Sequence, residues 1–420
     1  MATKRWLGTA AIVNQVDTIQ ITGDDATTTY SVTIGAIVFS VPGSGVSVSQ
    51  TATDLRAALV VASALHPYFT LLFEVTTDTV TITGASGEPF TITAGVAGGA
   101  GTLTHTAGVT AAASPNHWAI GANWSGGTIP ATNDDVILDA GAQPILWDLD
   151  QSALSVNVVR TDLAYTGFIG LNPKGFRLAG VDLTTDPEYR ETHLQIAADL
   201  VEIGRAGGVN GTGQGRVNID NTDTGTPACH VFATAGVAKD AGQLAVDYVV
   251  NDVQAELTIN AAPGGVGVGA RVPGTVCSLA TITVATTDPN TKVVVGPGVT
   301  LVTFQQNQGQ TVLELAVDLT ALRLSGGTVR TCGDEFTITT ADIYKGNLIC
   351  GHYDSTALIT TLNVWNQGFV DFTTNYRART VTTCNLHPGS KLRTDWHMTF
   401  TNPLAWANEQ IDVTTAKATV

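Results

Sequence analysis

Thr337-Ile-Thr-Thr340, Leu358-Ile-Thr-Thr361 and Thr380-Val-Thr-Thr383 are near copies of one short segment, and their starts differ by 21 and then 22 residues. A matching block follows each copy. The three blocks are Ala341-Asp-Ile-Tyr-Lys-Gly-Asn-Leu348, Leu362-Asn-Val-Trp-Asn-Gln-Gly-Phe369 and Cys384-Asn-Leu-His-Pro-Gly-Ser-Lys-Leu392. A weaker copy precedes them at Leu319-Thr-Ala-Leu-Arg-Leu-Ser-Gly-Gly-Thr-Val329. Each copy reads as strand, glycine-bearing turn, strand. A period in the low twenties built this way is the signature of a coiled sheet, a β-solenoid. One coil cannot bury its apolar face alone. Stacked coils share a dry interior, and each strand pairs with its counterpart about 4.8 Å above and below.

Outward from the repeat, the same texture runs back to about residue 136. Short strands such as Leu154-Ser-Val-Asn-Val-Val159, Leu200-Val-Glu-Ile203, Leu257-Thr-Ile259 and Lys292-Val-Val-Val295 alternate with Gly, Asn, Asp and Pro, with no amphipathic helix between them. Valine, isoleucine and leucine suit stacked inward positions, threonine suits a strand facing water, and glycine and asparagine suit corners. Charged residues are only 13% of the chain, and 20 basic against 36 acidic residues leave a net charge of −16. That balance argues against a nucleic-acid footprint and against an electrostatic membrane anchor. No apolar run is long enough to span a bilayer as a helix, and Met1-Ala-Thr-Lys-Arg-Trp6 leads into mixed polar sequence without a signal core. A charge-poor, Thr/Gly/Val-rich surface made without an export signal suggests a protein made in the cytoplasm for service outside a cell.

The N-terminal part has a different texture. Asp17-Thr-Ile-Gln-Ile-Thr22, Thr29-Tyr-Ser-Val-Thr-Ile34 and Ala36-Ile-Val-Phe-Ser-Val41 alternate as half-buried strands. Leu55, Ala58, Leu59, Ala62 and Leu65 then fall on one helical face, with Thr51 read as the N-cap and Pro67 as the stop. Strands resume at Phe73-Glu-Val75, Thr79-Val-Thr-Ile-Thr83 and Pro89-Phe-Thr-Ile-Thr93. The expected organisation is a mainly β chain: a small α+β domain over 1–97 (β-β-α-β-β), a Gly/Ala/Thr linker over 98–115, a right-handed β-solenoid over 116–395, and a C-terminal cap or interface strand over 396–420. Trp118 and Trp124 are expected to cap the solenoid.

Asn123-Trp-Ser-Gly-Gly-Thr-Ile-Pro130 followed by Asp134-Asp-Val-Ile-Leu138 resembles the segment that opens the right-handed β-helix of bacterial surface and phage-associated solenoid proteins. Thr29-Tyr-Ser-Val-Thr-Ile34, the helix from Thr53 to Leu65, Val80-Thr-Ile-Thr-Gly84 and Glu88-Pro-Phe-Thr-Ile92 are similar to a small module of tailed-bacteriophage structural proteins. Together the two resemblances imply a virion structural protein of the capsid decoration, head-fibre or tail-fibre type. They imply a homotrimer on the particle exterior, docked on the major capsid protein or tail proteins, with a host surface glycan as a further partner. The alternatives are a tailspike-like polysaccharide hydrolase or lyase and a bacterial surface adhesin.

The sequence offers little chemistry, and the expectation is no catalytic, cofactor-binding or metal-binding residue and no enzymatic activity. HExxH, GxSxG and P-loop patterns are absent. Gly264-Gly-Val-Gly-Val-Gly269 reads as a turn, since no helix follows to cradle a phosphate. A polysaccharide-cleaving solenoid would need two carboxylates about 5–10 Å apart. Asp148 with Asp150, two apart on one strand, and Asp134 with Asp135 are the candidate pairs, the second reading better as a turn. Asp24-Asp25 reads as a hairpin turn. The five cysteines (Cys229, Cys277, Cys332, Cys350, Cys384) show no CxxC spacing and read as core thiols. The eight histidines show no helical i, i+4 pair. Among the seven tryptophans, Trp365 at a turn is the one positioned to meet a sugar or a neighbouring protein, although packing is the plainer reading. Sequons at Asn123 and Asn210 carry no meaning in a bacterial or phage setting.

Overall fold

The computed structural model describes residues 2–34, 37–63, 71–170, 176–178, 181–183, 192–205, 217–234, 244–269, 276–314, 318–332, 337–350, 358–373, 379–395, 397–402, 405–406 and 412–415. The chain is mainly β, and most of it forms one large sheet system of parallel strands. Parallel neighbours cannot be joined by tight hairpins. Here the chain returns to the same pairing edge after about one repeat. Strands at successive returns stack in register along separate ladders.

In the first ladder the same inward position is occupied by Val136, Val159, Val201, Cys229, Leu257, Ile282, Phe304, Leu322, Ala341, Leu362 and Cys384 in turn, each paired with the next. All of them are buried. A second ladder stacks Val217, Val246, Val266, Val293, Thr311, Val329, Leu348, Val370 and Leu392, again all buried. A third carries the repeat itself. Ile338 pairs with Ile359 and Ile359 with Val381, while Thr340, Thr361 and Thr383 lie in register beside them. The weaker copy joins below through Leu319 and Ile338. The Thr-Thr copies are therefore layered one on another. One cluster holds the buried apolar side chains of all three ladders, from Trp6 and Trp118 to Leu392.

Gln306 shows how a polar side chain is carried in this interior. Gln306 is 1% exposed and stands where Val284 and Leu324 flank it in register. Its Oε1 accepts from Thr311 Oγ1 at 2.5 Å, and its Nε2 donates to the Gly309 and Gly326 carbonyls at 3.2 Å each. Buried amides cost several kcal/mol when unpaired, so this one closes a corner rather than opening a hole.

The N-terminal unit packs two antiparallel sheets with one helix. One sheet has the order Leu72–Thr76, Thr79–Thr83, Val16–Gly23, Thr102–Thr110; the other is Ile37–Pro42, Thr28–Ile34, Ile92–Gly98. The helix Val48–Ser63 sets Ala52, Leu55 and Leu59 into a core with Ile19, Ile21, Tyr30 and Phe73. Its N-cap is Ser47, whose Oγ accepts from the Gln50 N–H at 3.2 Å. Thr51, expected as the cap, lies one turn inside and donates its hydroxyl to Asp24 at 2.6 Å. Leu65 and Pro67 lie outside the described residues.

Three boundaries differ from the expectation. Thr102–Thr110, inside the stretch read as linker, is an edge strand paired antiparallel with Val16–Gly23. Its side chains are small and mostly exposed, so no apolar alternation announces it. Thr3–Arg5, assigned by position to the α+β domain, instead pairs in parallel with Asp135–Ile137 and extends the first ladder at its end. There Trp6, Trp118 and Trp124 pack edge to face, with centroids 4.9 and 4.7 Å apart. Asp24-Asp25 is not a hairpin turn, because the strands on either side belong to different sheets. Asp25 instead accepts from the Thr27 and Ala100 amides at 2.9 and 2.6 Å. At the other end, Met398–Phe400, Ala405–Trp406 and Asp412–Thr415 continue the ladders in register; the rest of the expected cap lies outside the described residues.

Candidate functional site

In-register stacking gives every outward position a same-column neighbour above and below. Near the C-terminal end two such columns carry unusual side chains. Tyr344, Trp365 and His387 stack as parallel rings, with centroid separations of 5.8 and 3.5 Å and tilts of 19° and 5°. Beside them Asn385 Nδ2 donates to Asn363 Oδ1 at 2.8 Å, and Asn363 Nδ2 to Asp342 Oδ1 at 2.7 Å. Just past Trp365 the strand carries one extra residue relative to the strand below, with Asn366 at φ +30°, and turns the corner.

Beyond that corner lies a groove of about 560 Å³. Asn347, Phe369 and Lys391 form one column along it, paired in register. Gln367 and Gly389 line it at the corner. Arg393 flanks it, its guanidinium carbon 5.7 Å from the Phe369 ring centroid and its Nη1 3.3 Å from Asp371 Oδ2. Gly389 has φ +80°, and a Cβ there would meet the Asn366 carbonyl oxygen at 2.4 Å, so the close approach of the two turns requires glycine.

A second polar constellation sits on the outward face of the second ladder. His193 Nε2 lies 3.4 Å from Asp247 Oδ2, and both residues are buried. Asp247 Oδ1 has no hydrogen-bond partner among the described residues. Burial pushes the Asp220 carboxyl above its ordinary range, against the pull of His193. A third constellation joins the two units. His117 Nε2 contacts the Gly87 carbonyl oxygen at 2.7 Å, and its Nδ1 contacts Asp148 Oδ2 at 2.9 Å. Both partners are acceptors, so the protonated ring, with both nitrogens donating, satisfies both. Burial alone would lower its pKa; the bonds to Asp148 and Gly87 outweigh that and raise it.

The residues singled out from sequence disperse. Asp148, at φ +57°, precedes the strand that Asp150 begins; it holds His117 while Asp150 turns to Ser152 at 2.6 Å. They are not a pair on one strand face. Asp134 accepts from the Ala2 and Ala131 amides at 2.7 and 3.1 Å, and Asp135 from Asn157 at 3.3 Å, which is turn and edge work. Gly264 and Gly265 turn the chain into the strand Val266–Val268. Cys229, Cys277, Cys350 and Cys384 are buried and Cys332 is half-buried, all as free thiols. Burial pushes Cys277, Cys350 and Cys384 up to about 12. Trp365 is half-buried, its ring face covered by His387. His66, His352 and Asn210 lie outside the described residues. Among the described residues no three His, Cys, Asp or Glu side chains converge as a metal-ligand set, and no helix is long and apolar enough to cross a membrane.

The groove and the His193–Asp247 pair went unread in the sequence. The groove did leave a signal: Asn347, Phe369 and Lys391 are each 22 residues apart, the period of the repeat. No family model, curated protein or solved structure matches this chain.

Proposed function

We propose that this chain is a non-enzymatic structural protein whose ladders form a right-handed β-solenoid shaft, borne on the exterior of a virion as a capsid decoration or fibre. The observation that carries the reading is the buried column from Val136 to Cys384, in which each level pairs with the next. Such a column makes a stiff, elongated body whose backbone hydrogen bonds run along its length. It needs no disulfide to persist outside a cell, and the cysteines are free thiols inside it. The α+β unit, held to the first levels by His117, is the natural attachment end, and assembly is as a homotrimer on capsid or tail proteins. Immuno-electron microscopy of purified particles tests this: label on the particle surface is expected, and particles lacking the chain would overturn it.

A second reading, a polysaccharide-cleaving tailspike, draws on one observation. Asp220, whose carboxyl burial holds toward its neutral form, follows by two residues Asn218, the ladder partner of Asp247, which pairs with His193, so two carboxylates share one face there. Conversion of host capsule polysaccharide to shorter products, lost in Asp247→Asn, would favour it over the structural reading.

A further inference from the structure

We propose that the groove beyond the Trp365 corner binds an oligosaccharide bearing carboxylate groups. The argument is independent of the particle assignment. The groove's volume, about 560 Å³, is that of an ordinary small-ligand site. Its lining matches the parts of an acidic sugar. The Phe369 ring offers an aromatic face for the C–H side of a pyranose. Asn347 and Gln367, both exposed, offer amide donors and acceptors for hydroxyls. Lys391 and Arg393, also exposed, offer cations for the carboxylates.

The charge is what selects the acidic class. The chain has an excess of sixteen negative charges, yet among the described residues lining this groove two are cations and none is a carboxylate. Lys345, exposed and in register with Gln367, adds a third cation at the rim. Two acidic residues lie nearby: Asp371, which holds Arg393 from one side, and Asp412, opposite Lys391 in the next strand. Set against the three cations, they leave these described residues with one net positive charge, and Asp371 holds Arg393 beside the Phe369 ring. A guanidinium already oriented over a ring loses less freedom when a carboxylate arrives. The column geometry adds a direction. Side chains one level apart are about 4.8 Å from each other, close to the length of a single sugar ring, so an extended saccharide would run along the stack.

The test uses the full chain and trigalacturonate as the probe, with maltotriose as the neutral control, followed by titration calorimetry. Saturable binding of trigalacturonate is expected, weakened by added salt, with maltotriose at least about tenfold weaker. Arg393→Gln and Lys391→Gln should each weaken trigalacturonate by about tenfold while leaving the melting temperature unchanged, since both side chains are exposed. No saturable binding at millimolar probe would overturn the proposal. So would binding that survives both substitutions, or a loss of self-association in the two variants, which would make the groove a contact between copies of the chain.

Discussion

His117 makes the link between the two units sensitive to pH, in a direction the geometry fixes. Its side chain is 3% exposed, and its two nitrogens face the Gly87 carbonyl in the α+β unit and the Asp148 carboxylate at the foot of the ladders. Replacing it by phenylalanine keeps a ring of similar size against Trp147 and removes both donors. The buried Gly87 carbonyl then lacks its donor, at about 1–3 kcal/mol, while the partly exposed Asp148 loses a screened bond of about 1 kcal/mol or less. The expected loss is about 1–4 kcal/mol at acid pH. A group whose pKa is raised by folding contributes fully below its ordinary value, here 6.5, and loses that contribution as pH rises through the elevated folded-state value. The gap between wild type and His117→Phe should therefore be widest at about pH 6 and narrow toward about pH 9, where the neutral ring keeps one donor. His117→Gln retains a donor but does not titrate, so its stability should lack this pH-dependent component. Urea denaturation read by tryptophan fluorescence gives the gap, and the imidazole resonances give the pKa directly. A gap that widens with pH, or a His117 that titrates below 6.5, would refute the clasp.

The remaining predictions concern the ladders. Phe304→Ala, in the middle of the buried column, should cost about 3–5 kcal/mol in denaturation midpoint experiments. Gly204→Ala places a Cβ 1.8 Å from the Ala233 carbonyl oxygen at φ +69° and should cost clearly more than Gly126→Ala, where φ is +79° but the space is open; circular dichroism melts of the two variants compare them. Burial opposes ionisation of Glu202, but bonds to Arg160 at 2.6 Å and Arg205 at 2.7 Å hold its pKa below the ordinary 4.5. Its contribution is thus present above pH 4.5 and lost as pH falls through the depressed value, so Glu202→Gln should flatten the acid limb of the stability curve. Under a thiol reagent at mildly alkaline pH, half-buried Cys332 should react first, and the four buried thiols only on unfolding.

The parts of the fold that were legible share one physical cause. Where strands stack in register at a constant period, each position meets its own counterpart, so similar residues recur. That is why the Thr-Thr copies from 337 to 383 could be aligned by eye, and why they pair residue for residue. Farther back, the spacing between partners stretches: Val159 meets Val201, and Val201 meets Cys229. Longer excursions between levels blur the period there, and only the strand texture remains. Thr102–Thr110 was invisible because an exposed edge strand places little demand on side-chain size. The His117 clasp was invisible because its acceptor, Gly87, contributes a backbone carbonyl, which any residue would supply. Glycine itself is needed there for a different reason: φ is +69°, and a Cβ would strike the Ala113 carbonyl oxygen at 2.2 Å.

Register stacking also accounts for the sparse charge. In a parallel ladder an outward side chain has same-column neighbours about 4.8 Å away on both sides, so a run of like charges would repel at every level. The columns observed avoid this. Thr340, Thr361 and Thr383 stack as neutral hydroxyls; Asp342 is followed by Asn363 and Asn385, each amide donating to the oxygen below; Asp371 lies between Ile349 and Arg393. A charge share of 13% is in keeping with such columns. The argument for a docking surface then rests on local charge rather than on composition, and the groove lined by Lys391 and Arg393 on a chain of net charge −16 is the place where it is strongest.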